Sequence, residues 1–343
     1  MRIGIVGGGA IGGYLAAVLS SADVPVVLVG APGRPPRRPR AVRLDGRTLA
    51  PSESLVLSDD PEALRGAEVV LVTVKSTVTP SLAAPLAAVL PPETPVVSLQ
   101  NGLHNATWLA IDLGQRVVSG VVSYNVFNDG DDRHQATAGQ LFCGTLEGIG
   151  DGVGAARLRV LRALFRKAGE RLDLRSDIAD VMAGKLLMNL NNGICAATGL
   201  SITESLRDRD ARWCFARAID EGLTVMKHAG LHPVRAAPLP AWAVSLVLRL
   251  PDQLVVRLAR AIIDVDPRAR SSTLQDLDHG RATEIDDLNG AILSLAQEMG
   301  DLAPANATVV DVVRDHERAV SLGHSPAFVA PATLRERIVV AGG

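Results

Sequence analysis

Gly7, Gly9 and Gly12 stand in the spacing G-x-G-x-x-G within "IGIVGGGAIGGYLAAVL", directly after a strand-length apolar run and directly before a helix-length one. The first glycine permits a tight strand-to-helix turn, the second lets backbone approach a pyrophosphate, and the third lets helix and strand pack closely. The turn opens into a helix N-terminus, so the N–H groups of Ala10 and Ile11 join the glycines as donors for an anion. A dinucleotide-binding strand–turn–helix is therefore expected at the amino end.

The following sequence extends that unit. "RIGIV" from Arg2, "VPVVLV" from Val24, "EVVLVTV" from Glu68, "TPVVSL" from Thr94 and "RVVSGVV" from Arg116 are Val-rich runs, with helical stretches at 11–20 and 81–90 between them. Continuous apolar strands separated by helices indicate a parallel sheet covered on both faces. "HQATAGQLFCGTL", 134–146, reads as an antiparallel hairpin around Gly139 at the sheet edge. Past "RLDLRSD" the strand signal stops, and 178–313 is helical in period, broken at "GLHPVRAAPLP" and "DVDPRARSS". The tail after Leu322 carries no clear pattern. The expected architecture is an α/β, Rossmann-type domain over 1–175 and an all-α domain over 176–330.

Hydrophobic residues make up 47% of the 343 and charged residues 21%, which supplies a core and argues against disorder. With 35 Lys and Arg against 37 Asp and Glu, the net charge of −2 offers no cationic footprint for nucleic acid. The one basic cluster, "RPPRRPR" at 34–40, contains three prolines and reads as a loop. Three widely spaced cysteines fit neither a disulfide framework nor zinc, so a reducing, cytoplasmic setting is expected. No run reaches membrane-span length, and the opening "MRIGIVGGG" is too short for a signal sequence.

The end of the second strand normally selects the dinucleotide, an acidic residue there favouring NAD. "VVLVGAPGRPPRR" offers no carboxylate before Asp45, so a 2′-phosphate is favoured, with Arg34 the first candidate to meet it and Arg37 the second. Lys75 in "VTVKST" and Asn101 in "VSLQNG" fall at carboxyl ends of strands, the edge at which open α/β sheets bind ligands.

In "MAGKLLMNLNNGICAATG", Lys185, Asn189 and Asn192 share one helical stripe at i, i+4 and i+7, on a helix whose other positions are largely apolar. A buried ammonium flanked by carboxamides needs partners, from side chains or from a ligand. A second polar cluster, "ARSSTLQDLDHGRATEIDDLNG", sets Ser272 and Glu284 twelve residues apart across Gly280, with Asp276 and Arg281 available for surface pairing.

Together and in this order, GxGxxG, the Lys75 and Asn101 loops, Lys185-x3-Asn189 and "SSTLQDLDHGRATEIDDLNG" resemble the ketopantoate reductase (2-dehydropantoate 2-reductase) family, over residues 1 to about 313. The resemblance implies a helical domain like the C-terminal one of 6-phosphogluconate dehydrogenase. It also implies NADPH-dependent reduction of a 2-keto acid, first among them 2-dehydropantoate, in pantothenate biosynthesis, with a homodimer as a candidate assembly. It assigns Lys185 as general acid and Glu284 to orient it and contact substrate or cofactor. Lys75 and Asn101 would lie near nicotinamide and substrate, while Asn189 and Ser272 would hold the substrate. A lysine suits the task because a cation that can release its proton both stabilises and protonates a developing alkoxide; arginine cannot readily do the second. Only four lysines occur, Lys75, Lys167, Lys185 and Lys227, and two occupy these positions.

Two departures stand out. The family's second asparagine, eight residues after the lysine, is here Gly193, with Asn192 the candidate to replace it; the family's arginine after the second strand is Ala31. The segment 239–267 also lengthens the helical domain. Rival readings are a reductase of another oxo or imino acid on the same plan, or a non-catalytic NADP(H) sensor. A metal site is not expected, since Gly230 and Pro233 end the helix around His228 and His232. "RDHER" at 314–318 reads as a solvated helix face, and no hydrolase elbow is present.

Overall fold

Fully apolar strands flanked by helices can be buried on both faces only inside a layered sheet, and that is how the first half of the chain folds. The computed structural model describes residues 1–144, 153–234, 239–252, 254–255 and 270–342. The chain divides into two compact units, Met1–Ile178 and Ala179–Gly343.

The strands of the first unit are β1 (Ile3–Val6), β2 (Val26–Val29), β3 (Arg40–Val42), β4 (Thr48–Leu49), β5 (Leu55–Ser58), β6 (Val69–Val72), β7 (Val96–Ser98), β8 (Val117–Val122), β9 (Val126–Asp129), β10 (Asp132–Gln135), β11 (Leu141–Gly144) and β12 (Leu172–Arg175). Its helices are α1 (Ala10–Ser21), α2 (Thr79–Val89), α3 (Asn105–Leu113) and α4 (Val153–Lys167). Eight strands form one sheet in the order β12-β11-β8-β7-β6-β1-β2-β5. From β8 to β5 every pairing is parallel; β11 pairs antiparallel with β8, and β12 follows β11. Alternate residues of the central strands feed two cores: Ile3, Ile5, Leu28 and Leu71 pack with α1, whereas Val27, Val29, Val70 and Val72 pack with α2 and α3. The strand order reverses at β1, so the crevice between the carboxyl ends of β1 and β6 is the topological switch point.

The expected hairpin at 134–146 does not form. His134 and Gln135 belong to β10, which turns back on β9 through Gly130 and Asp131, and Leu141–Gly144 joins the main sheet instead. The physical reason is turn chemistry: the Gly130-Asp131 pair of "NDGDD", with Gly130 at φ of 58°, offers a two-residue hairpin turn that the sequence around Gly139 does not. Residues 145 and 146 lie outside the described residues. The hairpin completes a small second sheet, β4-β3-β10-β9, laid against α1, where Ala41 enters the α1 core. A buried knot ties this layer down: the Tyr14 hydroxyl donates to Glu170 Oε1 or Gln135 Oε1, each 3.0 Å away, and Arg43 lies 3.2 Å from Glu170.

The second unit is helical: α5 (Ile178–Thr198, beginning at the boundary), α6 (Ile202–Arg207), α7 (Arg209–His228), α8 (Ala241–Leu248), α9 (Ser272–Asp278), α10 (Asn289–Met299), α11 (Pro304–Ser321) and α12 (Pro331–Gly342). Part of the longer segment is seen here: α8 packs on α7, fixed by Ser245 and Arg249 on Asp220 and by the fully buried Arg212, which donates to the Leu248 carbonyl and pairs with Asp252. The portion at 256–269 lies outside the described residues. The unpatterned tail contains α12, which buries Leu334 and Ile338 one turn apart; its Arg335 sits over the Trp213 ring and 2.7 Å from Asp210. "RDHER" is only partly a solvated face. His316 is buried with Nε2 3.1 Å from the Ala197 carbonyl, and Glu317 accepts the Thr283 N–H at 2.7 Å, because the helix packs that side inward.

Among the described residues no helix is long and apolar enough to cross a membrane, and no group of three or more His, Cys, Asp or Glu side chains is placed to hold a metal ion. His228 instead pairs with Asp301 at 2.7 Å. One close approach constrains α5: a Cβ at Gly184 would lie 1.9 Å from the Val234 carbonyl oxygen. Gly184→Ala is therefore expected to destabilise the helical unit by about 2 kcal/mol or more, seen as a thermal midpoint lower by roughly 4–8 °C; an unchanged melting curve would contradict that contact.

Candidate active site

The glycine turn is built by contacts that leave no room for a side chain at Gly7 or Gly12. Gly7 has φ of 110°, in the region that favours glycine, and a Cβ at Gly12 would lie 1.9 Å from the Gly7 carbonyl oxygen. Gly9 faces open space. The first turn of α1 holds no acidic residue and no side-chain cap, so the N–H groups of Ala10, Ile11 and Gly12 have neither an acceptor one turn back nor a competing carboxylate. Such a turn fits a pyrophosphate. Thr73, which sequence reasoning passed over, holds it from the next strand: its Oγ1 lies 2.9 Å from the Val6 carbonyl and 3.0 Å from that of Gly7. The signal was available, since Val6 pairs with Val72 and a hydroxyl one residue later must meet the turn.

After β2 the chain folds back over this turn. Ala31 bridges to Arg34, whose N–H donates to the Ala31 carbonyl at 2.9 Å, so Arg34 stands directly beside position 31. Pro36 then packs on Gly8, where a Cβ would come within 2.7 Å of the ring. The structure sorts the basic run. Arg37 lies 3.8 Å from Asp131, Arg38 donates to the Ser52 carbonyl at 2.6 Å, and Arg40 pairs with Asp132 at 2.6 Å. Arg34 is exposed, and among the described residues its guanidinium makes no hydrogen bond or ion pair. Lys75 and Asn101 are each the third residue beyond the paired Val72 and Ser98, at the carboxyl ends of β6 and β7, and both are half-buried.

In the helical unit, α5 is buried on all sides but one. From Val181 to Thr198 the half-buried positions are Met182, Lys185, Met188, Asn189 and Asn192, so the lysine and two of the asparagines line a single face. Met188 joins this face rather than the core. Asn191 does the opposite and bonds Ser205 Oγ at 3.1 Å, tying α5 to α6. Burial lowers the Lys185 amine from its ordinary 10.5 to about 8, and the nearby Glu284 carboxylate opposes that fall. Glu284 is buried, in a loop shaped by the Thr283 hydroxyl, which accepts the Ile285 N–H at 3.2 Å, and by Glu317. Arg281 pairs with the buried Asp276 at 3.2 Å.

Ser272 is exposed at the first position of α9. Its neighbour Ser271 is the buried one: Oγ accepts the Leu274 N–H at 3.2 Å and donates to the Asn192 carbonyl at 3.4 Å, which brings the start of α9 against α5. A serine just before a helix is an N-cap signature and pointed to this role. A side chain at position 193 would force its neighbours to shift, since a Cβ on Gly193 would lie 2.3 Å from Asn289 Oδ1 and 2.8 Å from a Val309 methyl.

The two halves match the two parts of one family description. Ketopantoate reductase PanE/ApbA matches residues 3–148, and its C-terminal counterpart matches 177–317. A 2-dehydropantoate 2-reductase of Mesorhizobium japonicum is 30% identical, the match covering 91% of this chain and 95% of the relative. The chain belongs to the ketopantoate reductase family. A second family member, 2-dehydropantoate 2-reductase of Archaeoglobus fulgidus, is 29% identical over 92% of this chain and 98% of its own. Among solved structures, a PanE/ApbA family ketopantoate reductase from Ralstonia eutropha is 28% identical with a TM-score of 0.75, covering 94% of this chain and all of that one. Membership makes the chain an oxidoreductase of the dinucleotide-dependent kind, and the order of its two folds, sheet first and helices second, is the family's.

Proposed function

We propose that this protein reduces a 2-keto acid, first of all 2-dehydropantoate to pantoate, with NADPH and with Lys185 as the general acid. The observation that carries the reading is the stripe on α5: a desolvated amine of lowered proton affinity beside one carboxylate, in line with two carboxamides, on the half-buried face of the helix. The names of the relatives support the substrate class.

Gly7, Gly9, Gly12 and the first N–H groups of α1 would hold the pyrophosphate, Arg34 the 2′-phosphate, and Lys75 and Asn101 the nicotinamide end. Bound there, the dinucleotide supplies the reducing equivalent. As the ketone oxygen gains negative charge, the Lys185 ammonium stabilises it and hands over a proton, leaving the amine neutral. A pKa near the working pH makes that transfer nearly balanced, which a lysine at its ordinary value would not achieve. Asn189 and Asn192 donate amide N–H groups to substrate oxygens, Ser272 offers a hydroxyl to the carboxylate, and Glu284 holds Lys185 in place. Because Gly193 presents no side chain, that part of the stripe falls to Asn192. This favours a second 2-keto acid substrate of different shape as an alternative. Cytoplasmic location and a homodimer complete the proposal.

NADPH consumption with 2-dehydropantoate and a panel of 2-keto acids tests the reading. Lys185→Ala is expected to lower kcat by roughly a hundredfold or more while NADPH still binds; unchanged turnover would remove Lys185 from the chemistry, and NADPH binding without its oxidation by any keto acid would favour a sensor. The acid must be protonated to act, so turnover falls as pH rises through about 8. Removing the Glu284 charge removes what holds that value up, so in Glu284→Gln the basic limb of the kcat profile moves to lower pH. A limb that stays in place would separate the two residues. Arg34→Ala is expected to weaken NADPH binding by about tenfold or more and NADH binding by less than about twofold, since only a charge-assisted contact to the 2′-phosphate is lost; equal losses would reassign the phosphate.

A further inference from the structure

The loop carrying Asn101 is held by a chain of four buried side chains, each with one possible orientation. Ser98 Oγ donates to Gln100 Oε1 at 3.1 Å, and Gln100 Nε2 donates to Thr79 Oγ1 at 2.6 Å. The single Thr79 proton goes to Asn105 Oδ1 at 2.7 Å, which turns Asn105 Nδ2 toward the Asn101 carbonyl at 2.6 Å. The relay connects the end of β7 with the first residues of α2 and α3, and all four side chains are buried. Its polarity is set throughout: a hydroxyl that accepts from an amide must donate onward, and the acceptor that receives it leaves only an NH2 to face the backbone. Gly102, next in the chain, has φ of 86°, so the loop reverses immediately after the point that is clamped.

We propose that Asn105 is a positioning residue for the reduction, acting through the Asn101 carbonyl to fix how the Asn101 loop is presented at the sheet's carboxyl edge. This rests on the reading of the Asn101 loop given under the proposed function. Asn105 does not touch the substrate; it supplies a donor where aspartate, its nearest isostere, supplies a second acceptor. In Asn105→Asp the ionised carboxylate still accepts from Thr79 but sets an oxygen against the Asn101 carbonyl, whereas the protonated acid donates there as the amide did. Burial and the facing carbonyl both raise the pKa of that acid. The groups bonded to the Asn105 side chain are the Thr79 hydroxyl and the Asn101 carbonyl, neither of which titrates in the range tested; His104, the preceding residue, is the same in all three proteins.

The test measures kcat/KM for the best 2-keto acid, with NADPH saturating, from about pH 5 to about pH 8, in wild type, Asn105→Asp and Asn105→Ala. At the alkaline end Asn105→Asp is expected to fall about tenfold, as does Asn105→Ala, with the NADPH dissociation constant within about twofold of wild type. As pH drops, the ratio of Asn105→Asp to wild type rises toward one, while the ratio for Asn105→Ala stays level. A flat ratio for Asn105→Asp, or activity equal to wild type throughout, overturns the proposal. Should Asn105→Asp not fold, Thr79→Val reads the same relay, with an expected loss of about fivefold; no loss overturns it. If wild type itself fails to oxidise NADPH with every keto acid tried, the functional reading fails instead, which the wild-type arm reports separately.

Discussion

Burial strips water from the Lys185 amine and lowers its hold on a proton, while Glu284 acts in the opposite sense. A charge in that position is tolerated only if the rest of the helix is secured elsewhere, because desolvating an ammonium costs several kcal/mol. The helical unit meets this condition. Leu186, Leu187, Leu190 and Ile194 sink α5 into its neighbours, Asn191 ties it to α6, and Ser271 ties it to α9. One face is left only half-buried, with the lysine and two carboxamides upon it. The carboxylate arrives from a loop about a hundred residues away, held by Thr283 and Glu317, so the amine's environment depends on the whole unit rather than on its own helix.

The first unit follows a similar logic with backbone in place of side chains. Strand register sets the Gly7 turn level with Thr73, and the small second sheet braces α1 from the other side. The basic loop folds back between Ala31 and Arg34, three of its arginines meet partners from other segments, and Arg34 is left exposed beside the turn. These ties involve residues more than a dozen positions apart, as far as Arg37 and Asp131, so the sorting of one charge from another is a tertiary event.

The parallel sheet, its strands β1, β2, β6, β7 and β8, and the helical second half were legible because long apolar runs and 3.6-residue periodicity are local properties. The small sheet was not. Its strands are two to four residues long, and β3 is paired by a segment about ninety residues downstream. The hairpin was misplaced because a glycine between two apolar runs looked like a turn, while the Gly130-Asp131 pair upstream carried the stronger signal. On α5 the stripe was readable from spacing alone, but which asparagine faced inward was decided by Ser205, and Ser271 rather than Ser272 proved to be the buried serine.

The sequence by itself determined the sheet-then-helix plan, the glycine turn and the alignment of Lys185 with Asn189 and Asn192, because each follows from backbone geometry over a few consecutive residues. Only the tertiary structure decided which face of α5 is left half-buried, which arginines of the basic loop meet partners, and how far the amine departs from ordinary lysine behaviour. Those outcomes depend on desolvation and on partners from distant segments, and neither quantity exists until the chain has packed.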